Sequence, residues 1–204
     1  MSMWTDEKVK ILNGEEIIFI FAKYYLFEKK IKKGSVLVTN EVANHGLDIA
    51  LKKLGLQLKR VKVGDKNILK EILDNKYFLG GEPSGHFIFK DDILIGDGMA
   101  TAIRFLTLIL NEKKKLSELR NGIDLLEVSN INQRIDRERF YLNQESIYKK
   151  LNNLLKNLDI YYNIRPSGTE SLLRVNLQYQ KRNIKVITLN KLKKQIIKVI
   201  SDAC

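Results

Sequence analysis

Cysteine is nearly absent from this sequence, with one residue in 204, Cys204 at the last position. One cysteine cannot close an internal disulfide, which excludes a disulfide scaffold and fits a reducing compartment. Proline is as scarce, at 2 residues, and glycine stands at 12. That composition excludes disordered, collagen-like and linker-rich chains. Long apolar runs are missing too. The longest near the start, Ile17 to Ala22, meets Lys23 and falls well short of the ~20 residues of a membrane span. Met1 to Trp4 show neither the basic start nor the apolar stretch of a signal peptide. No internal repeat or low-complexity tract occurs. A cytoplasmic protein with no membrane partner is expected.

The chain is nevertheless long enough for one large domain or two small ones, and can bury roughly 70% of its unfolded surface. Hydrophobic residues at 44% and charged residues at 29% are ordinary for a globular protein. The net charge of +12 is not ordinary. It suits an anionic partner: nucleic acid, membrane surface or phosphorylated substrate. Lys outnumbers Arg 27 to 9, however, with Ile and Asn also abundant. AT-rich coding writes such a mixture on solvated surfaces, whereas nucleic-acid readers lean on the planar fork of Arg. A nucleic-acid partner is therefore disfavoured.

Helical spacing runs from Asn13 to Lys30, followed by a short buried strand over Ser35–Thr39. A helix over His45–Leu54 ends at Gly55. A strand follows over Leu56–Val63, then a helix from Gly64-Asp65 to Asn75. This alternation implies βαβ units and a parallel sheet. Two strands within Tyr77–Lys90 flank a glycine-rich interruption. Gly96-Asp97-Gly98 opens a helix through Leu110, with Asp97 as its cap. The lysine run Lys113–Lys115 reads as its solvated end, and Leu116–Arg120 as a short turn. Past Gly122 the texture changes. Val128, Ile131 and Ile135 are expected to be buried. An amphipathic helix is expected over Asn143–Asn157 with Ile147, Leu151, Leu154, Leu155 and Leu158 inward. Strands over Ile160–Arg165 and Leu172–Tyr179 and a helix over Leu189–Ile200 complete the pattern. The expected fold is an α/β domain with a parallel sheet, residues 1–122, then a smaller α+β domain with an antiparallel sheet, residues 123–204.

Three segments carry chemistry. Arg165-Pro-Ser-Gly-Thr-Glu170, with Arg174 close behind, offers hydroxyls from Ser167 and Thr169, a bendable backbone at Gly168, and two guanidinium groups. These are the donors that phosphate oxygens need, although Pro-Ser-Gly also suits a plain turn. Gly80-Gly-Glu-Pro-Ser-Gly-His86 places Glu82, Ser84 and His86 on a tight loop. There they could bind sugar hydroxyls or move protons, or His86 could be purely structural. Lys62-Val-Gly-Asp65 falls at a strand-to-helix turn, where parallel sheets gather ligands; a solvated lysine is the plainer alternative. His45 lies at a similar turn, where capping by Asn44 explains the loop equally well.

As a set, these motifs resemble the α-D-phosphohexomutases. Gly80–His86, Gly96-Asp-Gly98 opening a helix, and Arg165–Glu170 followed by Leu-Leu-Arg174 match that family in order and separation. Lys62–Asp65 and the glycine pair before Glu82 are most similar to its bacterial phosphoglucosamine mutase branch. The resemblance covers nearly the whole chain and implies the third and fourth of four domains. It implies that Glu82, Ser84 and His86 recognise the sugar, and that Arg165, Ser167, Gly168, Thr169 and Arg174 hold the non-reacting phosphate. It makes Lys62 and His86 rival candidates for acid or base.

Two family motifs do not occur here: the Ser-His-Asn-Pro type loop bearing the phosphoserine, and the Asp-Gly-Asp-Gly-Asp loop holding Mg2+. The stretch Asp6-Glu7-Lys8 is similar to the one just after that metal loop. The resemblance thus implies a C-terminal fragment with no metal ligands of its own. Its partners would be a hexose phosphate or bisphosphate and the missing N-terminal half, and exposed apolar surface would invite self-association. Pro83 stands where the family more often has Gln, Asn, Met or Leu, and Ser171 where it often has Pro. The preferred sugar therefore stays open between glucosamine phosphates and those of a phosphoglucomutase or phosphomannomutase. A non-catalytic sugar-phosphate-binding module is the other alternative.

Overall fold

The computed structural model describes residues 4–91, 96–184 and 186–203; Cys204 and the first three residues lie outside them. Two compact units meet between Leu125 and Leu126, where sequence texture placed the change at 122/123.

The first unit opens with a small antiparallel hairpin, β1 (Trp4–Thr5) and β2 (Ile11–Leu12), that periodicity alone does not announce. The Asp6 carboxylate folds its turn by accepting from the Lys8 and Lys10 N–H groups, both at 2.9 Å. Helix α1 (Gly14–Phe27) starts from a reciprocal cap: Asn13 accepts from the Glu16 N–H while the Glu16 side chain accepts from the Asn13 N–H. Ile17 to Ala22 are all buried, so the short apolar run is a core helix.

The chain then alternates as β3 (Val36–Asn40), α2 (His45–Lys53), β4 (Gln57–Val61), α3 (Asp65–Asn75), β5 (Leu79–Gly81) and β6 (Phe87–Phe89), closing with α4 (Gly98–Glu112) and α5 (Leu116–Leu119). Strand order is β4-β3-β5-β6, with β3 parallel to both β4 and β5 and β6 antiparallel to β5. Strand pleating sorts the side chains onto two faces. Leu37, Leu79, Phe87 and Phe89 join the core built on α1, α2 and α4. Val38 and Ile88 face the other way, onto Ile68 and Ile72 of α3. The Asp97 side chain caps α4, accepting from the Met99 N–H at 2.7 Å. No helix among the described residues is long and apolar enough to cross a membrane.

The second unit is β7 (Glu127–Arg134), α6 (Arg137–Leu155), β8 (Ile160–Pro166), β9 (Leu172–Tyr179) and α7 (Val186–Ser201). Its antiparallel sheet runs β7-β9-β8. Ile131, Leu173, Val175 and Leu177 form one core with Phe140, Ile147, Leu151, Leu192 and Ile196 of the two helices. Three expectations are corrected here. Val128 is exposed, because the segment is a strand and residues three apart cannot share its face; Ser129 and Ile131 point inward instead. Leu158 is exposed as well, since α6 ends at Leu155 and leaves it in the following turn. The same helix begins at Arg137, earlier than Asn143, because Asp136 caps it by accepting from the Arg139 N–H and Phe140 is buried in its first turn.

Candidate functional site

In the first unit the chemistry-bearing residues gather at the carboxyl ends of parallel strands. Asn40 ends β3, Gly64 opens α3 after β4, and Glu82 follows β5. One carboxylate joins all three. Glu82 Oε1 accepts from Asn40 Nδ2 at 3.1 Å and from the Gly64 N–H at 3.0 Å. Its other oxygen, Oε2, accepts from Ser84 Oγ at 3.3 Å and lies 3.8 Å from His86 Nδ1. Ser84 Oγ and His86 Nδ1 are 3.1 Å apart. Glu82 is buried, whereas Ser84 and His86 are exposed. The carboxylate thus serves the interior and the other two side chains face solvent.

The loop itself is closely held. The Glu82 N–H donates to the His86 carbonyl and the Gly85 N–H to the Glu82 carbonyl, both at 2.9 Å. Gly85 has φ of +89°, a conformation that suits glycine. At the start of α1 the Gly14 N–H donates to the Pro83 carbonyl at 3.2 Å. A Cβ on Gly14 would fall 2.2 Å from the Glu82 carbonyl oxygen. Sequence reasoning singled out neither Asn40 nor Gly14. Only their neighbours in space reveal them.

Lys62 is exposed and borders an open groove of about 400 Å3 with Lys59, Arg60, Asn67 and Lys70. No hydrogen bond or ion pair joins it to Glu82, Ser84 or His86 among the described residues; the Gly64 N–H two positions on is what reaches Glu82. His45 sits in a structural network. Asn44 caps α2 by accepting from the Gly46 N–H at 2.8 Å, and His45 Nδ1 lies 3.4 Å from Asp48 Oδ2, which also pairs with Arg60. Burial, and then the Arg60 charge, hold the His45 imidazole below its usual range against the pull of Asp48.

In the second unit Arg165 and Arg174 are directly opposed in the register of β8 and β9. Arg174 pairs with Glu170 at 2.5 Å, and its Nε is buried without a partner. The Arg165 guanidinium engages none of the described side chains. Between the two strands the loop turns back through Ser167, whose N–H donates to the Leu172 carbonyl at 2.8 Å and whose Oγ accepts from the Glu170 N–H at 3.3 Å. Gly168 and Thr169 are exposed. Gly168 is not in the left-handed region, and a Cβ there would meet nothing within 4 Å. The fold does not demand glycine at that point. A residue missed in the sequence, Arg137, reaches the loop from α6, donating through Nη2 to the carbonyls of Ser167 (3.1 Å), Gly168 (3.3 Å) and Glu170 (3.0 Å).

No group of three or more His, Cys, Asp or Glu placed to hold a metal ion occurs among the described residues. These residues do not fit a Mg2+ site, and no metal-borne step is assigned to them.

Comparison with known proteins agrees on the lineage. Residues 13–124 match the family model described as phosphoglucomutase/phosphomannomutase, alpha/beta/alpha domain III. The chain is 36% identical over 203 residues to the phosphoglucosamine mutase of Ruminiclostridium cellulolyticum, covering 96% of this chain and 43% of that protein. It is 39% identical over 177 residues to the phosphoglucosamine mutase of Clostridium botulinum strain Hall, covering 85% of this chain and 39% of that protein. The chain thus spans less than half the length of these curated relatives. Among solved structures, N-acetylphosphoglucosamine mutase of Aspergillus fumigatus, in complex with GlcNAc-6P and magnesium, superposes with a TM-score of 0.76 at 14% identity, over 98% of this chain and 46% of that one. An N-acetylglucosamine-phosphate mutase of the alpha-D-phosphohexomutase superfamily, in its product complex, gives 0.75 at 18% identity, over 97% and 46%. At such identities these structures speak for the fold alone; the family model, which matches more than half of the chain, shows that the chain belongs to the phosphoglucomutase/phosphomannomutase family.

Proposed function

We propose that this chain supplies the sugar- and phosphate-recognition parts of a phosphoglucosamine mutase, the enzyme that interconverts glucosamine 6-phosphate and glucosamine 1-phosphate. The observation that carries the reading is the opposed pair Arg165 and Arg174 beside the Ser167–Thr169 loop. Two guanidinium groups share one sheet face, Arg165 without a carboxylate partner among the described residues and Arg174 paired with Glu170, and together they can attract an anion. Ser167, Gly168 and Thr169 add hydroxyl and backbone donors to it. A phosphate that does not react is the ligand that this set suits.

Glu82, Ser84 and His86 recognise the hexose. Ser84 and His86 present the solvent-facing donors and acceptors, and Glu82 fixes their positions from below. His86 is the better placed of the two acid–base candidates, because it belongs to the loop that holds the sugar. Lys62 contributes positive charge at the neighbouring strand end, with proton transfer as its alternative role. These residues bind and orient; the phosphoserine and Mg2+ of the family would come from sequence not found in these 204 residues. The chain by itself therefore binds hexose phosphate without turnover. The missing half is its expected partner, and the exposed stripe Met99, Ile103, Leu106 and Leu110 on α4 is apolar surface that favours self-association in its absence.

The test is a coupled mutase assay on the purified chain with glucosamine 1- or 6-phosphate, run beside calorimetric binding of the same ligands. Binding without turnover is expected. Turnover at the level of complete family enzymes would refute the division of labour. Absence of any hexose-phosphate binding would refute the recognition role.

A further inference from the structure

The loop at residues 167–170 has a feature that its own residues do not explain. Arg137, at the first position of α6, gives one nitrogen to three of its carbonyls, those of Ser167, Gly168 and Glu170, at 3.0–3.3 Å. No carboxylate among the described residues pairs with this guanidinium. Its charge is spent on peptide oxygens.

Peptide geometry gives that arrangement a consequence. In a trans peptide the C=O and the following N–H point in opposite directions, and no cis bond occurs among the described residues. Drawing the Ser167 and Gly168 carbonyls toward Arg137 turns the Gly168 and Thr169 N–H groups away from it. Neither N–H donates to any group among the described residues, and both residues are exposed. Two successive unpaired N–H groups turned the same way form an anion-binding concavity. An unpaired Cβ-free position between them, with open space around it, leaves room for a ligand to approach.

From this we infer that Arg137 is a positioning residue, one that holds the Gly168 and Thr169 amides outward as a cradle for a phosphate group. The inference rests on the reading of this loop as the phosphate site, and it adds the residue that orients the loop's backbone donors. Arg137 touches no ligand. It acts by fixing two peptide planes before the ligand arrives, which lowers the ordering cost of binding.

Proton–nitrogen correlation spectra of the full chain, titrated with inorganic phosphate, test it. In the unmodified protein the Gly168 and Thr169 amide protons should move downfield and saturate. In Arg137→Gln those two shifts should vanish and affinity should fall about tenfold, in line with the loss of charge-assisted hydrogen bonding. Arg137→Lys, which keeps the charge but cannot span three carbonyls, should give reduced shifts; it also decides the matter if the Gln variant fails to fold. A purely structural role for Arg137 would lower melting temperature and leave the amide response intact, which would overturn the inference. Phosphate binding that depends on Arg165 but moves neither amide would overturn it as well, with the phosphate site still standing. If the unmodified protein binds no phosphate at all, site and inference fall together.

Discussion

Arg165 and Arg174 stand directly opposite each other on adjacent antiparallel strands. Glu170 neutralises Arg174, and no described carboxylate pairs with Arg165. Like charges in such cross-strand positions are destabilising, a cost that Glu170 reduces on the Arg174 side and leaves standing beside Arg165. A bound dianion removes that cost.

Arg165→Ala should therefore separate stability from binding. Hexose-phosphate affinity is expected to fall about 10- to 100-fold, the range for a lost charged hydrogen-bond donor. Melting temperature in low salt should hold or rise slightly. In the unmodified protein, phosphate should raise the melting temperature by mass action, and the variant should lose that rise. Differential scanning fluorimetry with and without phosphate reads both effects. A variant that melts much earlier and still responds to phosphate would contradict the argument.

Glu82 offers the opposite case. Its buried carboxylate satisfies the Asn40 amide and the Gly64 N–H together. Glu82→Ala would strand both donors and should cost about 2–4 kcal/mol, measured by urea denaturation. Glu82→Gln keeps one carbonyl acceptor and should recover about half of that.

Two glycines should behave in contrasting ways on substitution by alanine. Gly14→Ala drives a Cβ into the Glu82 and Pro83 backbone, which cannot yield as a side chain can. About 3 kcal/mol of destabilisation is expected, with weakened sugar binding as the Glu82–His86 loop shifts. Gly168→Ala meets nothing. It should leave urea stability unchanged while reducing phosphate affinity, because its methyl group occupies the ligand's approach. Equal stability losses in the two variants would be evidence against this distinction.

Glu15 predicts a pH dependence. Its buried side chain accepts the Asn44 N–H at 2.9 Å, and burial is the leading cause that raises its pKa above the ordinary glutamate value. A raised folded-state pKa means that the carboxyl contributes fully below the unfolded value of about 4.3 and loses that contribution as pH rises through the folded value. Glu15→Gln keeps an acceptor for Asn44 and carries no charge. It should be more stable than the unmodified protein at pH 7, with the difference shrinking toward pH 4. Urea denaturation at both pH values checks the sign.

Much of this was legible in the sequence because local rules agreed with the fold. Asn44 and Asp97 cap the helices that follow them, as their types and positions suggest, and strand alternation between helices implied the parallel pairs of β3. The glycine loop and the Arg-Pro-Ser-Gly-Thr-Glu motif were visible as donor-rich turns. What stayed hidden depends on long-range contact. Asn40 lies 42 positions from the carboxylate that it serves, and Arg137 lies 30 or more positions from the carbonyls that it gathers. Neither partner could be paired by spacing. Val128 differs for another reason: its apolar character suggests burial, but the two-residue period of its strand turns it outward.

The Glu82–His86 loop is tied at both ends of its own turn, to the start of α1 and to the ends of β3 and β4. A hexose arriving there would meet a surface already frozen in its bound shape, so the conformational entropy of that loop was surrendered during folding. Calorimetry should accordingly show only a small unfavourable entropy from the protein side. Hydrogen exchange at the Glu82 and Gly85 amides should be slow before any ligand is added. Selectivity between epimeric sugars would then come from rigid mismatch.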